Sequence, residues 1–139
     1  TILSHKSKFR NMKKQLSLAI FFMLGVIGYS QSLDCSKLKN VKAVDPDYPK
    51  KIFVINGTKQ ESFDNGVLKI EWSVKWLTDC QYEVTCTKKI AESQIEVGDR
   101  IVNDIVSIDG DCFTLKRTLY CKNFPQGDVD SGSTFCIAK

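Results

Sequence analysis

Histidine is almost absent from this chain: His5 is the only one, and residues 31–139 contain none. A domain without imidazole cannot build a Ser-His-Asp or Cys-His nucleophile pair, the usual ways of activating a serine or cysteine. It also cannot hold a metal through histidine. Carboxylates, lysines and tyrosines remain, so catalysis is narrowed to chemistry they can carry. A basic excess is missing too. Five of the 20 Lys and Arg (Lys6, Lys8, Arg10, Lys13, Lys14) lie in residues 1–30, which hold no acid. Residues 31–139 are left with 15 bases against 16 acids, net −1, a poor match for nucleic acid or an anionic membrane surface. Only one long apolar run exists, and no internal repeat or low-complexity tract is found.

That run is Leu16–Ile27, interrupted only by Ser17 and Gly25. It is shorter than the roughly 20 residues of a membrane-spanning helix. Met12-Lys13-Lys14 precedes it and Gly28-Tyr29-Ser30 follows. A charged start, a short apolar centre and small residues at the end make 12–30 a cleavable signal peptide, with Gln31 as the new N-terminus. Residues 1–11 fit no targeting pattern and are expected to be upstream sequence. Asp34 before Cys35 is a poor lipidation context, so a lipid anchor at Cys35 is disfavoured. The expected product is secreted or periplasmic, with no transmembrane segment in its mature form.

All six cysteines (Cys35, Cys80, Cys86, Cys112, Cys121, Cys136) fall after the leader. An even number in a short exported chain predicts disulfides. Their spacing lacks the close pairs of a zinc site, and no metal or other cofactor is expected. Cys80 and Cys86 lie on one predicted strand, as do Cys112 and Cys121. Neither pair can bond internally, since about 3.3 Å of rise per residue separates them too far. Ten of the fifteen connectivities remain. The preferred one is Cys35–Cys80, Cys86–Cys121 and Cys112–Cys136, because Cys86 and Cys121 share an inward face.

The hydrophobic pattern is that of strands. Leu68, Ile70, Trp72, Val74 and Trp76 alternate with Lys69, Glu71, Ser73 and Lys75. The alternation resumes with Cys80, Tyr82, Val84 and Cys86. Period two over this length marks strands with one buried face. Both apolar sets are even-numbered, so the connecting loop should hold an odd number of residues, most simply three; a β-bulge would rescue an even loop. Residues 31–50, with Pro46 and Pro49, form an N-terminal arm, and 51–139 the β domain. Lys51–Ile55 is a strand, Asn56-Gly57 and Asp64-Asn65-Gly66 are turns, and Thr58–Phe63 returns between them. Residues 88–98, polar and mixed, are either a longer connection or one helical turn. Asp99–Asp109 breaks its alternation once, which predicts a bulge or twist. Cys112–Cys121 is another strand, followed by a loop and the terminal Phe135-Cys136-Ile137. The fold expected is all-β, an antiparallel meander of about six strands forming a small, disulfide-bearing barrel or sandwich.

Trp76-Leu77-Thr78-Asp79-Cys80-Gln81-Tyr82, after an aromatic-rich strand, resembles the Trp-x-x-Asp-Cys-x-Tyr core of a family of small exported proteins and lipoproteins of flavobacteria and other Bacteroidota. Cys35-Ser36-Lys37-Leu38-Lys39 resembles the early cysteine element of that family. The resemblance implies a compartment and a fold and supplies no activity.

Trp72, Trp76 and Tyr82 on one face are either ordinary core or the lining of a ligand pocket. Asp109-Gly110-Asp111 and Asp128–Gly132 lack the full calcium loop and read as turns. Glu71 and Glu83 could form a carboxylate pair but sit on wet faces. The expectation is an exported, non-enzymatic β domain that binds or takes part in an envelope assembly, with an envelope protein as the candidate partner. The alternatives are a small-ligand carrier with Trp72, Trp76 and Tyr82 lining its interior, and a histidine-free carboxylate hydrolase.

Overall fold

A computed structural model describes residues 32–139. The expected leader at 12–30 and the extension at 1–11 lie outside the described residues. Leu33–Lys139 form one unit. It contains one 3₁₀ turn, Ser36–Lys39, and nine strands: β1 (Asn40–Val44), β2 (Lys51–Asn56), β3 (Lys59–Asp64), β4 (Val67–Thr78), β5 (Gln81–Lys89), β6 (Arg100–Asp109), β7 (Cys112–Tyr120), β8 (Asp128–Val129) and β9 (Ser133–Ile137).

Each strand pairs antiparallel with the next from β1 to β7. β9 lies between β7 and β1 and closes the ring. The result is an eight-stranded up-and-down barrel, with the short β8 paired to the far half of β7. Closure leaves no free edge among the eight, so backbone groups are satisfied around the whole ring. The fold class read from the pattern is therefore observed, in its barrel form. The segment read as a polar arm supplies β1, and the last loop and tail supply β8 and β9. These elements are short, and β1 (Asn-Val-Lys-Ala-Val) buries only Val41 and Ala43, too little alternation to stand out.

The β4–β5 loop is two residues, Asp79-Cys80, rather than three. The register shifts between Trp76 and Thr78, so Leu77 is the extra residue of a bulge. Bulging restores the even sum: Trp76 opposes Tyr82 and Val74 opposes Val84. In β6 the break falls between Ile105 and Ser107. Val106 is the bulged residue, 51% exposed between the inward-facing Ile105 and Ile108. The β3–β4 turn is formed by Asn65 and Gly66, both with positive φ (52° and 75°), the pairing that a two-residue hairpin loop matching strand twist requires.

Two of the three expected disulfides are present, Cys35–Cys80 and Cys112–Cys136. The third is not: Cys86 and Cys121 are free. The inward face expected for both does not suffice, because Cys86 lies on β5 and Cys121 just beyond the end of β7, strands that are not neighbours. The Cys86 backbone bonds to Gly98 and Asp99 at the entry to β6, and Arg100 opposes Tyr120 on the far side. Two strand spacings of about 4.8 Å each separate the two cysteines, beyond the reach of a disulfide.

The two ends of the barrel differ. The turns at Gly57, Asp79-Cys80 and Gly110 share one end, and the 3₁₀ turn covers it. Cys35 ties that turn to Cys80, Lys37 Nζ donates to the Gly110 carbonyl at 2.9 Å, and Leu38 is plugged into the core at 1% exposure. The other end carries the longer connections 45–50, 90–99 and 121–127.

Candidate functional site

Staggered pairing turns the inward residues into rows. One row is Ile55–Gln60–Trp72–Cys86, across β2 to β5. Another is Trp76–Tyr82–Asn103–Arg117, across β4 to β7. Polar residues thus stand in the interior of the barrel where a filled core would carry aliphatic ones. An eight-stranded barrel is just wide enough either to be filled or to hold one small ligand.

This one is partly hollow. A cavity of about 520 Å³ occupies the interior and reaches the end opposite the 3₁₀ turn. Phe53, Trp72, Tyr82 and Phe135 form its aromatic wall, with Ile70, Val84, Ile101 and Leu115 between them. Phe53 and Phe135 meet edge to face with centroids 4.9 Å apart. Gln60, Ser62, Ser93 and Asn103 are its uncharged polar lining. Asp45, Lys51, Asp64, Lys69 and Glu92 stand around the opening, three acids against two bases.

The hydrogen bonds inside are unevenly distributed. Trp72 Nε1 donates to Ser62 Oγ at 3.0 Å. Asn103 Nδ2 donates to the Ile101 carbonyl at 3.3 Å. Gln60 is 9% exposed, and its Oε1 is buried with no partner. An acceptor removed from water without a donor is costly. Arg117, on β7, is held from the β8–β9 connection: its backbone amide and Nε donate to the Asp130 carboxylate at 3.0 and 2.8 Å, and Nη2 donates to Ser133 Oγ at 2.8 Å. Burial works to raise the Asp130 carboxyl, but the amide and guanidinium of Arg117 outweigh it and hold the group below the usual carboxylate range. Burial also pushes the Tyr82 phenol above its ordinary value, so it stays a neutral hydroxyl.

Of the three residues expected to line a pocket, Trp72 and Tyr82 do and Trp76 does not. Trp76 packs on Tyr82 with centroids 4.8 Å apart and lies under Lys39 of the 3₁₀ turn, 5.3 Å from its ammonium. It belongs to the closed end. Gln60, Ser62, Asn103, Phe53 and Phe135 were missed. The signal for the first two was present: β3 reads Lys-Gln-Glu-Ser-Phe-Asp, with no apolar residue at Gln60 or Ser62. In a closed barrel such a strand must aim polar groups inward.

The other candidates are accounted for on the outside. Glu71 pairs with Lys59 at 3.3 Å and Glu83 with Arg100 at 2.9 Å. Both face away from the cavity, so they do not form a facing carboxylate pair. Asp130 serves its turn and Arg117, also accepting from the Gly132 amide. Among the described residues no helix is long and apolar enough to cross a membrane. No family model, no curated protein and no solved structure matches the chain.

Proposed function

We propose that this barrel is a non-enzymatic carrier or receptor for one small, largely apolar molecule, working outside the cytoplasm. The observation that carries the reading is the hollow interior: about 520 Å³ walled by Phe53, Trp72, Tyr82 and Phe135. This volume lies in the range of small-molecule sites, and an aromatic wall with a few fixed polar groups is their usual chemistry. A purely structural envelope domain would gain stability by filling that space, since interiors are otherwise close-packed. Export is supported by the apolar leader at 16–27 and by two cross-links in a domain of modest core.

Titration with N-phenyl-1-naphthylamine, a neutral dye that brightens in apolar surroundings, tests the reading. One saturable site is expected, with the fluorescence of Trp72 and Trp76 quenched in parallel. Ser62→Phe fills the cavity from β3 and should abolish binding while the barrel stays folded. Absence of saturable binding, or binding indifferent to Ser62→Phe in a folded variant, would overturn it.

A further inference from the structure

We propose that the molecule held in this cavity carries an uncharged carbonyl group, whose oxygen accepts a hydrogen bond from the phenolic hydroxyl of Tyr82. The inference rests on the carrier reading and names the ligand class. Tyr82 borders the cavity and is 2% exposed. Burial and the charge of Arg117 are what act on its hydroxyl, and among the described residues no group is hydrogen-bonded to it. Among the described residues, the side-chain atoms both sealed and without a partner are Gln60 Oε1 and Trp76 Nε1; the Tyr82 oxygen is not one of them. An unpartnered oxygen that is not sealed opens on space, and the space beside Tyr82 is the cavity. A buried donor that the protein leaves without a partner calls for one from a bound molecule.

The neighbours of that hydroxyl select an acceptor. Asn103 stands directly opposite Tyr82 on β6, and Arg117 directly opposite Asn103 on β7. Three adjacent strands thus present a phenol, a carboxamide and a guanidinium on one stretch of the cavity wall, since opposed residues share a face. Asn103 Nδ2 gives one hydrogen to the Ile101 carbonyl at 3.3 Å and keeps a second. The positive charge of Arg117 is felt at the Tyr82 oxygen, where it works against the effect of burial. Such a field strengthens the phenol as a donor and favours a partly negative oxygen beside it over another O–H or N–H. The acceptor is uncharged because Arg117 is already offset by Asp130 at 2.8 Å, and the row supplies no second cation. Burying a carboxylate without a counter-charge is far more costly than burying a carbonyl that finds a donor. Phe53, Trp72 and Phe135 on the rest of the wall take the apolar body of the molecule.

Three naphthalenes of one shape separate the contributions: 2-acetylnaphthalene, 2-isopropenylnaphthalene (a methylene in place of the carbonyl oxygen) and 2-naphthoate. Each is titrated at neutral pH into the oxidised full chain loaded with N-phenyl-1-naphthylamine, and displacement of the dye gives its affinity. The ketone should displace the dye, and the carboxylate should be the weakest of the three. Tyr82→Phe keeps the ring that packs on Trp76 and removes only the oxygen. It should weaken the ketone roughly tenfold more than the hydrocarbon, a comparison that needs neither affinity to stay as it was. A second measurement uses the parent protein alone: the infrared carbonyl stretch of bound 2-acetylnaphthalene should lie below its value in hexane, as it does in an alcohol. An unshifted stretch, or a shift that survives Tyr82→Phe, would overturn the assignment, as would equal losses for ketone and hydrocarbon in that variant. Tightest binding of the carboxylate would overturn neutrality. If the dye binds and the ketone does not displace it, this inference alone falls; if the dye itself does not bind, the carrier reading falls with it.

Discussion

At the residue scale, two interior polar groups have opposite standings. The Gln60 Oε1 is buried and unpaired, which costs the folded state its desolvation. Gln60→Met keeps the length of the side chain and removes the orphan. It should stabilise the ligand-free protein by about 1 kcal/mol, read as a higher midpoint in urea with unchanged slope. A lower midpoint would mean that the carboxamide has a partner. Asp130 is the reverse case, fully engaged by the amide and guanidinium of Arg117. Its carboxyl titrates lower when folded than when unfolded. The contribution to stability is therefore complete above the ordinary aspartate value of about 3.9 and is lost as pH falls through the lowered folded value. Both side chains are more than a third exposed, so solvent screening limits the loss to about 1 kcal/mol. Asp130→Asn should remove the acid-limb dependence, while an unchanged pH profile in that variant would show that another carboxylate carries it.

At the scale of elements, bulges decide which side chains face the cavity. Val106 is the extra residue in β6. Deleting it would leave Ile105 opposite Leu115 and bring Ser107 into regular register opposite Thr114, so every inward residue keeps its face. Deleting Val102 instead would shift part of the strand by one position and flip its faces, turning Asn103 outward. The first deletion should melt within a few degrees of the parent and still bind dye; the second should not fold. Equal tolerance of both would show that the register is not pinned as described. The same logic marks what was legible in the sequence. Leu68 to Trp76 and Cys80 to Cys86 announced their faces because apolar and polar residues alternate without exception within each run, and the need for either an odd loop or a bulge followed from parity. The break in β6 was visible for the same reason. Closure of the ring was not, because β1 and β9 are five residues each and pair across nearly the whole chain. Gln60 and Ser62 were not recognised as cavity lining, since a polar position on a strand normally signals the wet face. Only closure, which makes one face interior all round, reverses that meaning.

At the scale of the whole molecule, the two cross-links act on different parts of the ring. Cys112–Cys136 joins directly opposed residues of β7 and β9 at the seam where the barrel closes. Cys35–Cys80 fastens the 3₁₀ turn across the closed end and spans 45 residues. In the chain-entropy view such a loop stabilises by about 4 kcal/mol, a large share of the stability of a domain this size. Cys35→Ala with Cys80→Ala should therefore lower stability by that order and loosen the end that Leu38 seals, with dye binding at the open end retained at temperatures where the variant is folded. The remaining two cysteines report on the topology as a whole. Cys121 is half-buried beside a surface hollow near Arg100 and Lys122, whereas Cys86 is 1% exposed and burial pushes its thiol up. Iodoacetamide should label Cys121 in the native protein and Cys86 only after unfolding, with an intact mass four hydrogens below that of the fully reduced chain. A mass lower by six hydrogens would require Cys86 and Cys121 to be joined. They could be joined only if β6 left its place between β5 and β7, which would open the ring and remove the cavity on which the proposed function depends.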